Sequence, residues 1–178
     1  MGRIIAVEYL TLDGVFENPT WTRPYFDAAV GAYQGEAQGW ADALLMGRVT
    51  YDGMSEAWPA MGDDPATGAD IMNSIGKYVP TSTLTEPTWN ATFLVGDVVE
   101  EVTRLKQGED GKLLVYGSGQ LTETLREAGL IDEYRLLICP LILGHGRRLF
   151  TGDTPSEFTV SRSQTAPSGM ILLDLVKA

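Results

Sequence analysis

Residues 113–150 constrain the fold of this chain more than any other part of the sequence. An apolar run at 113–116 is typical of a buried strand, and it ends in the glycine turn 117–119. An amphipathic helix follows and closes at Gly129, after which a second apolar strand covers 134–139. Two strands joined by a helical crossover predict a parallel pair with the helix packed on the sheet.

The turn at 117–119 is a candidate anion-binding site. Free backbone N–H groups and the positive end of the helix dipole meet where a strand ends in glycine and a helix begins. The turn lacks the third glycine of the GxGxxG dinucleotide motif, because Thr122 stands in its place. The glycines could equally be required only by the backbone conformation of the tight turn. The sequence pattern therefore leaves two alternatives, an anion site and a plain turn.

The rest of the chain repeats this alternation of strand and helix. Strands are predicted at 3–12, 43–46, 77–79 and 92–95, and helices at about 23–39 and at 97–106. The Pro- and Gly-rich segment 55–68 predicts a surface loop. Alternating residues near 158–160 and 171–175 predict an antiparallel C-terminal hairpin. The fold class is therefore α/β, with a mainly parallel sheet, and we expect one domain over 1–178.

Composition excludes several classes of function. The net charge of -11 argues against nucleic acid, whose affinity comes mainly from Lys and Arg. Cys139 is the one cysteine and fits a reducing compartment, so we expect a cytoplasmic protein. The sequence contains no long apolar run, so we expect that the protein is not secreted and does not contact a membrane. Since His145 is the one histidine, we predict no metal site.

Three predicted strands end in turns that could carry a ligand, at Gly47, Thr81 and Gly117. The carboxyl ends of parallel strands share one edge, which is where open α/β sheets bind ligands. Arg48 could pair with a phosphate just inside a helix start, although a solvated surface arginine is the alternative. Asp13 follows a strand and could either form an Asx-turn or touch a substrate.

Short motifs that keep their order and spacing along nearly the whole chain carry a family resemblance. They are TLDG at 11–14, LMGRVTY at 45–51, KYV at 77–79 with Ser82, VYGSG at 115–119, IDEY at 131–134, PLILG at 140–144, and then Gly146, Leu149 and Phe150. On these residues the chain resembles the dihydrofolate reductase-like superfamily. In particular, it is similar to stand-alone proteins related to the reductase domain of the riboflavin-biosynthesis deaminase–reductase.

The resemblance implies a three-layer α/β/α fold with a central mixed, mostly parallel sheet and a reduced nicotinamide cofactor. Carried over by position, two helix starts would hold the pyrophosphate, Ser82 would face the 2′-phosphate, and the first strand with its following loop would line the nicotinamide. The implied cofactor residues are Ala6, Val15, Phe16, Gly47, Arg48, Val49, Thr50, Thr81, Ser82, Thr83, Gly117, Ser118, Gly119, Gln120 and Leu121.

Two departures from that family keep alternatives open. Dihydrofolate reductases commonly place a basic residue beside the serine at the 2′-phosphate, whereas the sequence here is Thr81-Ser82-Thr83. Lys77 or Arg104 could substitute from elsewhere in the chain. The expected cofactor, NADPH with NADH as the alternative, is therefore what the resemblance alone implies. Second, the acid that binds a pteridine has no secure counterpart. For the substrate side the candidates are Phe26 and Asp27.

The leading hypothesis is an NAD(P)H-dependent reductase that transfers hydride to a small heterocyclic, pyrimidine- or pterin-like substrate or to a carbonyl compound. Asp13 and Asp27 are the candidate catalytic acids. The alternatives are a nucleotide-binding module of the same fold without turnover and a true dihydrofolate reductase. From the family we also expect a homodimer, for which the apolar strand at 136–138 and the final hairpin could supply a shared edge.

Overall fold

The computed structural model describes residues 2–108 and 111–178. Within these ranges the strands are β1 Arg3–Thr11, β2 Ala43–Leu45, β3 Gly76–Pro80, β4 Ala91–Leu94, β5 Lys112–Tyr116, β6 Glu133–Cys139, β7 Phe158–Thr165 and β8 Ile171–Lys177. The α-helices are α1 Ala28–Trp40, α2 Arg48–Ala60, α3 Ala69–Ser74, α4 Val98–Gln107 and α5 Gly119–Glu127, and a short 3-10 helix covers Pro19–Tyr25.

All these strands join one mixed sheet in the order β4-β3-β2-β5-β1-β6-β8-β7. Neighbouring strands from β4 to β6 pair in parallel, whereas β8 runs antiparallel to both β6 and β7. The predicted parallel sheet with an antiparallel C-terminal hairpin is therefore confirmed. In the centre, Ala6 of β1 lies between Val115 of β5 and Tyr134 of β6.

Helices cover both faces of the sheet, as a near-continuous apolar central strand requires. Ile4, Ile5, Ala6 and Val7 of β1 are all buried, because successive side chains point to opposite faces and both faces are covered. One core packs α1, α2 and α3 against the sheet, and a second core packs α4 and α5 against the other face. This is the three-layer α/β/α arrangement that the family resemblance implies.

Two boundaries differ from the sequence expectation. The predicted loop at 55–68 begins later, because α2 continues to Ala60. Trp58 packs there against the core beneath the helix, and tertiary packing overrides the loop-forming composition. The helix predicted from about residue 23 also begins later, since Pro19–Tyr25 is a 3-10 turn and Asp27 caps α1 through the Ala29 and Val30 N–H groups.

The β6 strand lies inside the sheet, so its apolar residues do not support the expected homodimer. Its apolar residues Leu136 and Leu137 are buried inside the chain, with β1 on one side and β8 on the other. The free edge of the hairpin is β7, whose residues are mostly exposed and polar. The apolar character of 136–138 is therefore explained by the sheet itself, and homodimerisation remains a prediction.

Helix α1 has an exposed glycine that an alanine should improve. Gly35 lies mid-helix, is exposed, and has open space where a Cβ would stand. We expect Gly35→Ala to raise the free energy of unfolding by about 0.5–1 kcal/mol, because alanine loses less backbone entropy in a helix. Urea unfolding at neutral pH measures this change. A destabilised variant would show that the α1 surface is covered in solution.

The helices within residues 2–108 and 111–178 are not suited to crossing a membrane. None of them combines the length with the apolar character that spanning a bilayer demands.

Candidate functional site

The carboxyl ends of β2 and β5 lie side by side and open a crevice between them. The chain leaves β2 into α2, which packs on one face of the sheet, and leaves β5 into α5, which packs on the other face. Adjacent parallel strands whose connections depart in opposite directions form a topological switch point, the usual ligand site of an open α/β sheet. Gly47 and Gly117 both lie at this edge, as the sequence predicts.

Ser118 ties the two helix starts together. Its Oγ accepts a hydrogen bond from the Gly47 N–H at 2.8 Å and donates to Thr50 Oγ1 at 2.7 Å. Ser118 and Gly117 both adopt left-handed backbone angles, with φ of 72° and 61°. The bonds from the Ser118 side chain to Gly47 and Thr50 hold this strained turn in place. They also fix the width of the crevice.

The first turns of α2 and α5 keep their N–H groups available for a ligand. Gly47 and Ser118 are the N-cap residues, and neither caps its helix with a side chain. By contrast, α1 and α4 are capped by the carboxylates of Asp27 and Asp97. Two uncapped helix starts that converge on one crevice bring free N–H donors and positive dipole ends together, which suits an anion such as a pyrophosphate.

A groove with a volume of about 520 Å³ runs along this crevice. It collects most of the predicted cofactor residues: Phe16, Gly47, Arg48, Val49, Thr50, Thr81, Ser82, Thr83, Ser118, Gly119, Gln120 and Leu121. Four further residues line the groove and were not predicted from the sequence: Pro80, Val98, Thr124 and Arg147. Pro80 and Val98 flank predicted turns and could have been included, whereas Thr124 and Arg147 carry no pattern that points to this groove.

Three predicted cofactor residues lie outside the lining of the groove. Ala6 and Val15 are 0% and 1% exposed and belong to the packed interior, so the structure does not bring them to the surface of the groove. Gly117 lies behind the side chain of Thr50 and supplies the left-handed turn. Phe16 is the member of the first loop that reaches the groove, where its ring packs directly on Gly119.

The Thr81-Ser82-Thr83 turn presents hydroxyls at one end of the groove. Thr81 Oγ1 accepts from the N–H groups of Thr83 and Leu84, both at 3.2 Å, which holds the turn closed. Ser82 and Thr83 are exposed and remain accessible to a ligand. The hydroxyl run is therefore partly structural and partly available for binding.

Neither of the two basic residues suggested for the 2′-phosphate faces this turn. Lys77 is 1% exposed, its Nζ lies 4.0 Å from the Trp89 ring centre, and burial lowers its pKa to about 8. Arg104 lies on α4 and pairs with Glu101. The arginine at this end is Arg48, whose guanidinium lies 2.9 Å from the Asp52 carboxylate.

Asp13 joins two loops through its carboxylate. It accepts from the Thr11 hydroxyl at 2.6 Å and from the N–H groups of Leu143 and Gly144 at 3.2 and 2.9 Å. The Thr11 hydroxyl, followed by the backbone donors, lowers the pKa of Asp13 to about 2. An ionised carboxylate that is fully engaged in this way acts as a structural anchor and is a poor proton donor at neutral pH.

Asp27 has a similar structural role at the start of α1. Its Oδ1 caps α1, and its Oδ2 accepts from the Ser168 N–H of the β7–β8 turn at 2.8 Å. The Val30 N–H, then the Ser168 N–H, lower the pKa of the Asp27 carboxyl. Neighbouring Phe26 is 53% exposed and packs over Gly31, away from the groove lining.

Replacing Asp27 by asparagine separates a structural role from a catalytic one. Asn keeps a cap for α1 but loses the second acceptor for Ser168, so we expect Asp27→Asn to lower Tm by about 2–4 °C and to leave the predicted reductase turnover unchanged. Asp97→Asn at the start of α4 is the matched control, since Asp97 caps a helix without a hairpin bond. Loss of turnover in Asp27→Asn at unchanged cofactor affinity would instead assign the acid to catalysis.

A polar cluster faces α1 where β1 and β5 approach this edge. Tyr116 Oη accepts a hydrogen bond from Gln34 Nε2 at 2.6 Å, and Gln38 and Tyr9 lie beside this pair. Burial raises the pKa of Tyr116 to about 12, so its phenol stays neutral. The members of the cluster are amides and phenols, with no carboxylate among them.

On the opposite face of β1, Glu8 lies beneath the first turns of α5. It is 2% exposed, and the Thr122 hydroxyl donates to its Oε1 at 2.9 Å. Burial raises the pKa of Glu8 to about 8, against which the Thr122 bond acts weakly. The carboxyl is therefore largely protonated at neutral pH, which keeps a negative charge away from the helix start.

Comparisons with known proteins agree with this geometry. The sequence pattern of the RibD C-terminal domain matches residues 3–172. The uncharacterized protein YyaP of Bacillus subtilis (strain 168) is 35% identical over 153 residues, which are 83% of this chain and 80% of that protein.

Solved structures with the same fold have much lower sequence identity. A putative riboflavin biosynthesis protein from Shewanella sp. PV-4 is 20% identical, with a TM-score of 0.75 over 100% of this chain and 99% of that one. A diaminohydroxyphosphoribosylaminopyrimidine deaminase/5-amino-6-(5-phosphoribosylamino)uracil reductase from Thermotoga maritima is 15% identical, with a TM-score of 0.73 over 99% of this chain and 57% of that one. With its sheet order, its crevice at the switch point and the match over residues 3–172, the chain belongs to the RibD C-terminal domain family, whose members are of the reductase type.

Proposed function

We propose that this protein is an NADPH-dependent reductase that transfers hydride to a small heterocyclic substrate of the pyrimidine type. The observation that carries the proposal is the groove at the switch point, where two uncapped helix starts meet in a chain of a reductase-type family. The reduced nicotinamide supplies the hydride when it is bound, and the protein supplies binding and orientation.

The residues of the groove fit a dinucleotide in one direction. The hydroxyls of Ser82 and Thr83, with Arg48 one strand away, would hold the adenosine end and its phosphate. The N–H groups at the starts of α2 and α5 would hold the pyrophosphate, because each start lacks a capping side chain. Phe16, which packs on Gly119, would cover the far end and exclude water from it.

The polar cluster on the α1 face supports the proposed substrate class. Its amides and phenols are the kinds of group that hydrogen-bond to the carbonyl and N–H edges of a pyrimidine, and they would exchange their bonds with one another for bonds to the substrate. The Thermotoga maritima protein, similar in fold, is a reductase of an aminouracil compound. A true dihydrofolate reductase is less well supported, because both oxygens of Asp27 are bonded to backbone N–H groups.

We further propose a cytoplasmic homodimer. A single buried cysteine, Cys139, fits a reducing compartment. Leu12, Ile142 and Ile171 are large apolar residues that stay exposed near the carboxyl edge of β1 and β6, and a second copy would cover them. Light scattering should give twice the mass of one chain, and Ile142→Asp should shift the protein toward the monomer.

The test of the reductase proposal is titration with NADPH and NADH, followed by turnover assays. We expect NADPH to bind with a Kd in the micromolar range and its oxidation to depend on an aminouracil-type substrate. The absence of binding by either dinucleotide at millimolar concentration would exclude the proposal. Tight NADPH binding without oxidation across pyrimidine, pterin and carbonyl substrates would favour a binding module, and rapid turnover of dihydrofolate would favour the third alternative.

A further inference from the structure

We propose that Arg147, in the loop after β6, binds the pyrophosphate of the dinucleotide. This inference rests on the proposed function, and it adds a residue that no sequence motif indicates. Arg147 lines the groove together with both helix starts. It also lines an adjoining cavity of about 500 Å³ on the other side of Phe16, so that it lies at the boundary between the two.

The backbone at Arg147 is fixed with respect to the groove. The Asp13 carboxylate accepts from the Leu143 and Gly144 N–H groups, and the Phe16 N–H donates to the Arg147 carbonyl at 3.1 Å. The loop after β1 and the loop after β6 therefore form one hydrogen-bonded unit. A residue in this unit is held in place before a ligand arrives, which reduces the entropy lost on binding.

The side chain of Arg147 points to the α5 side of this unit. Its Nε donates to Glu17 Oε1 at 2.8 Å, and its guanidinium carbon lies 5.5 Å from the centre of the Phe16 ring. The Phe16 ring in turn packs on Gly119, the first residue of α5. The positive charge is thus presented beside the uncapped helix start while its side chain remains 63% exposed to solvent.

Arg148, the next residue, has a different environment. Its Nε donates to the Asp13 carbonyl at 2.8 Å, and its Nη2 lies 3.4 Å from the Asp13 carboxylate. It lines the adjoining cavity but not the groove. The two arginines therefore share a loop and a charge, and they differ in whether the charge reaches the proposed pyrophosphate position.

Charge supports the assignment. The chain has a net charge of -11, so a dinucleotide can be held only where cations are concentrated locally. Among the described residues that line the groove, Arg48 and Arg147 are the cationic side chains. Each is paired with one exposed or half-buried carboxylate, and a phosphate can replace such a carboxylate with stronger charge-assisted bonds.

The order of the strands decides which phosphate each arginine meets. Along the edge, β3 with Thr81 is followed by β2 with Arg48, then by β5 and β1. Neighbouring strands lie about 4.8 Å apart, so the β1 loop that carries Phe16 is roughly 15 Å from the Thr81 turn. Arg48 is consequently placed at the adenosine end. Arg147 is placed beyond β5, where the pyrophosphate reaches the start of α5.

Two fragments of the cofactor test this assignment. ADP-ribose contains the pyrophosphate without a 2′-phosphate, and adenosine 2′-monophosphate contains the reverse. We expect Arg147→Gln to raise the Kd for ADP-ribose, NADH and NADPH by about tenfold, because a charge-assisted bond is lost. Adenosine 2′-monophosphate should bind as it does to the unchanged protein. Arg147→Lys should restore part of the affinity, since it keeps the charge without the planar fork.

Arg148→Gln is the matched control and should leave all these Kd values unchanged. Calorimetry at low salt measures the affinities, and thermal unfolding checks that each variant is folded. If Arg147→Gln and Arg148→Gln have the same Kd for ADP-ribose, the assignment of Arg147 is overturned. The reductase proposal would still stand in that case, provided that the unchanged protein binds NADPH. If Arg147→Gln weakened the binding of adenosine 2′-monophosphate and left the Kd for ADP-ribose unchanged, the assignment would also be overturned. If the unchanged protein binds no dinucleotide, both proposals fail.

Discussion

Glu8→Gln is expected to stabilise the protein at neutral pH. Glu8 is 2% exposed, and burial raises its pKa from 4.5 to about 8. The unfolded chain releases this proton above pH 4.5, whereas the folded chain keeps it until about pH 8. Stability therefore falls as the pH rises through this window. Glutamine keeps the acceptor for the Thr122 hydroxyl without the charge, so we expect a gain on the order of 2–3 kcal/mol at pH 7.

Urea unfolding at several pH values measures this effect. Below pH 4.5 the two proteins should have similar stability, and their difference should grow up to about pH 8. Glu133→Gln is the control with the opposite sign, because Glu133 is also buried but pairs with Arg3 at 2.6 Å and Arg135 at 2.9 Å. We expect it to lose about 1–2 kcal/mol. If Glu8→Gln gave no gain at pH 7, the carboxyl would be ionised in the folded protein and another cation or water would have to compensate it.

Gly119→Ala is expected to weaken dinucleotide binding by about tenfold or more. A Cβ at Gly119 would lie 2.6 Å from Cε2 of the Phe16 ring, which is too close for any real contact, so the ring must move. The movement removes the cover from the start of α5, where the pyrophosphate is proposed to bind. We also expect a loss of stability of about 1–3 kcal/mol from overpacking. Fluorescence titration with NADPH and urea unfolding give the two values.

A double variant separates the two effects of Gly119→Ala. Phe16→Ala combined with Gly119→Ala removes the steric conflict, so the double variant should be more stable than the sum of the two single changes predicts. Its affinity for NADPH should stay low, because the cover is still absent. Gly35→Ala, in a helix without such contact, should leave NADPH affinity unchanged. Normal affinity in Gly119→Ala would show that the dinucleotide does not approach the start of α5.

The strands and the edge that carries the site were predictable because they depend on local pattern. Apolar runs that end at Gly47, Thr81 and Gly117 indicate parallel strands, and parallel strands place their carboxyl ends together. The structure confirms this edge. The extent of α2 was not predictable in the same way, since Trp58 packs on a core that a loop-like composition does not reveal.

The roles of individual side chains depended on partners that are distant in sequence. Asp13 and Asp27 stood as candidate acids, yet each bonds to backbone N–H groups more than 100 residues away, at Leu143 and at Ser168. Arg147 carried no motif, and it reaches the groove because Phe16 and its loop bond to the loop after β6. No window of the sequence contains both members of such a pair.

By itself the sequence determined the α/β class, the mainly parallel sheet and the glycine-rich ends of β2 and β5, because hydrophobic periodicity and turn chemistry are local properties. The family was indicated separately, by the resemblance of short motifs along the chain. Only the tertiary structure decided that the turn at Gly117–Gly119 is one wall of a groove. Ser118 bonds across to Gly47 and Thr50, and Phe16 packs over Gly119. These contacts join segments that are 68 and more residues apart, and chain folding alone brings them together.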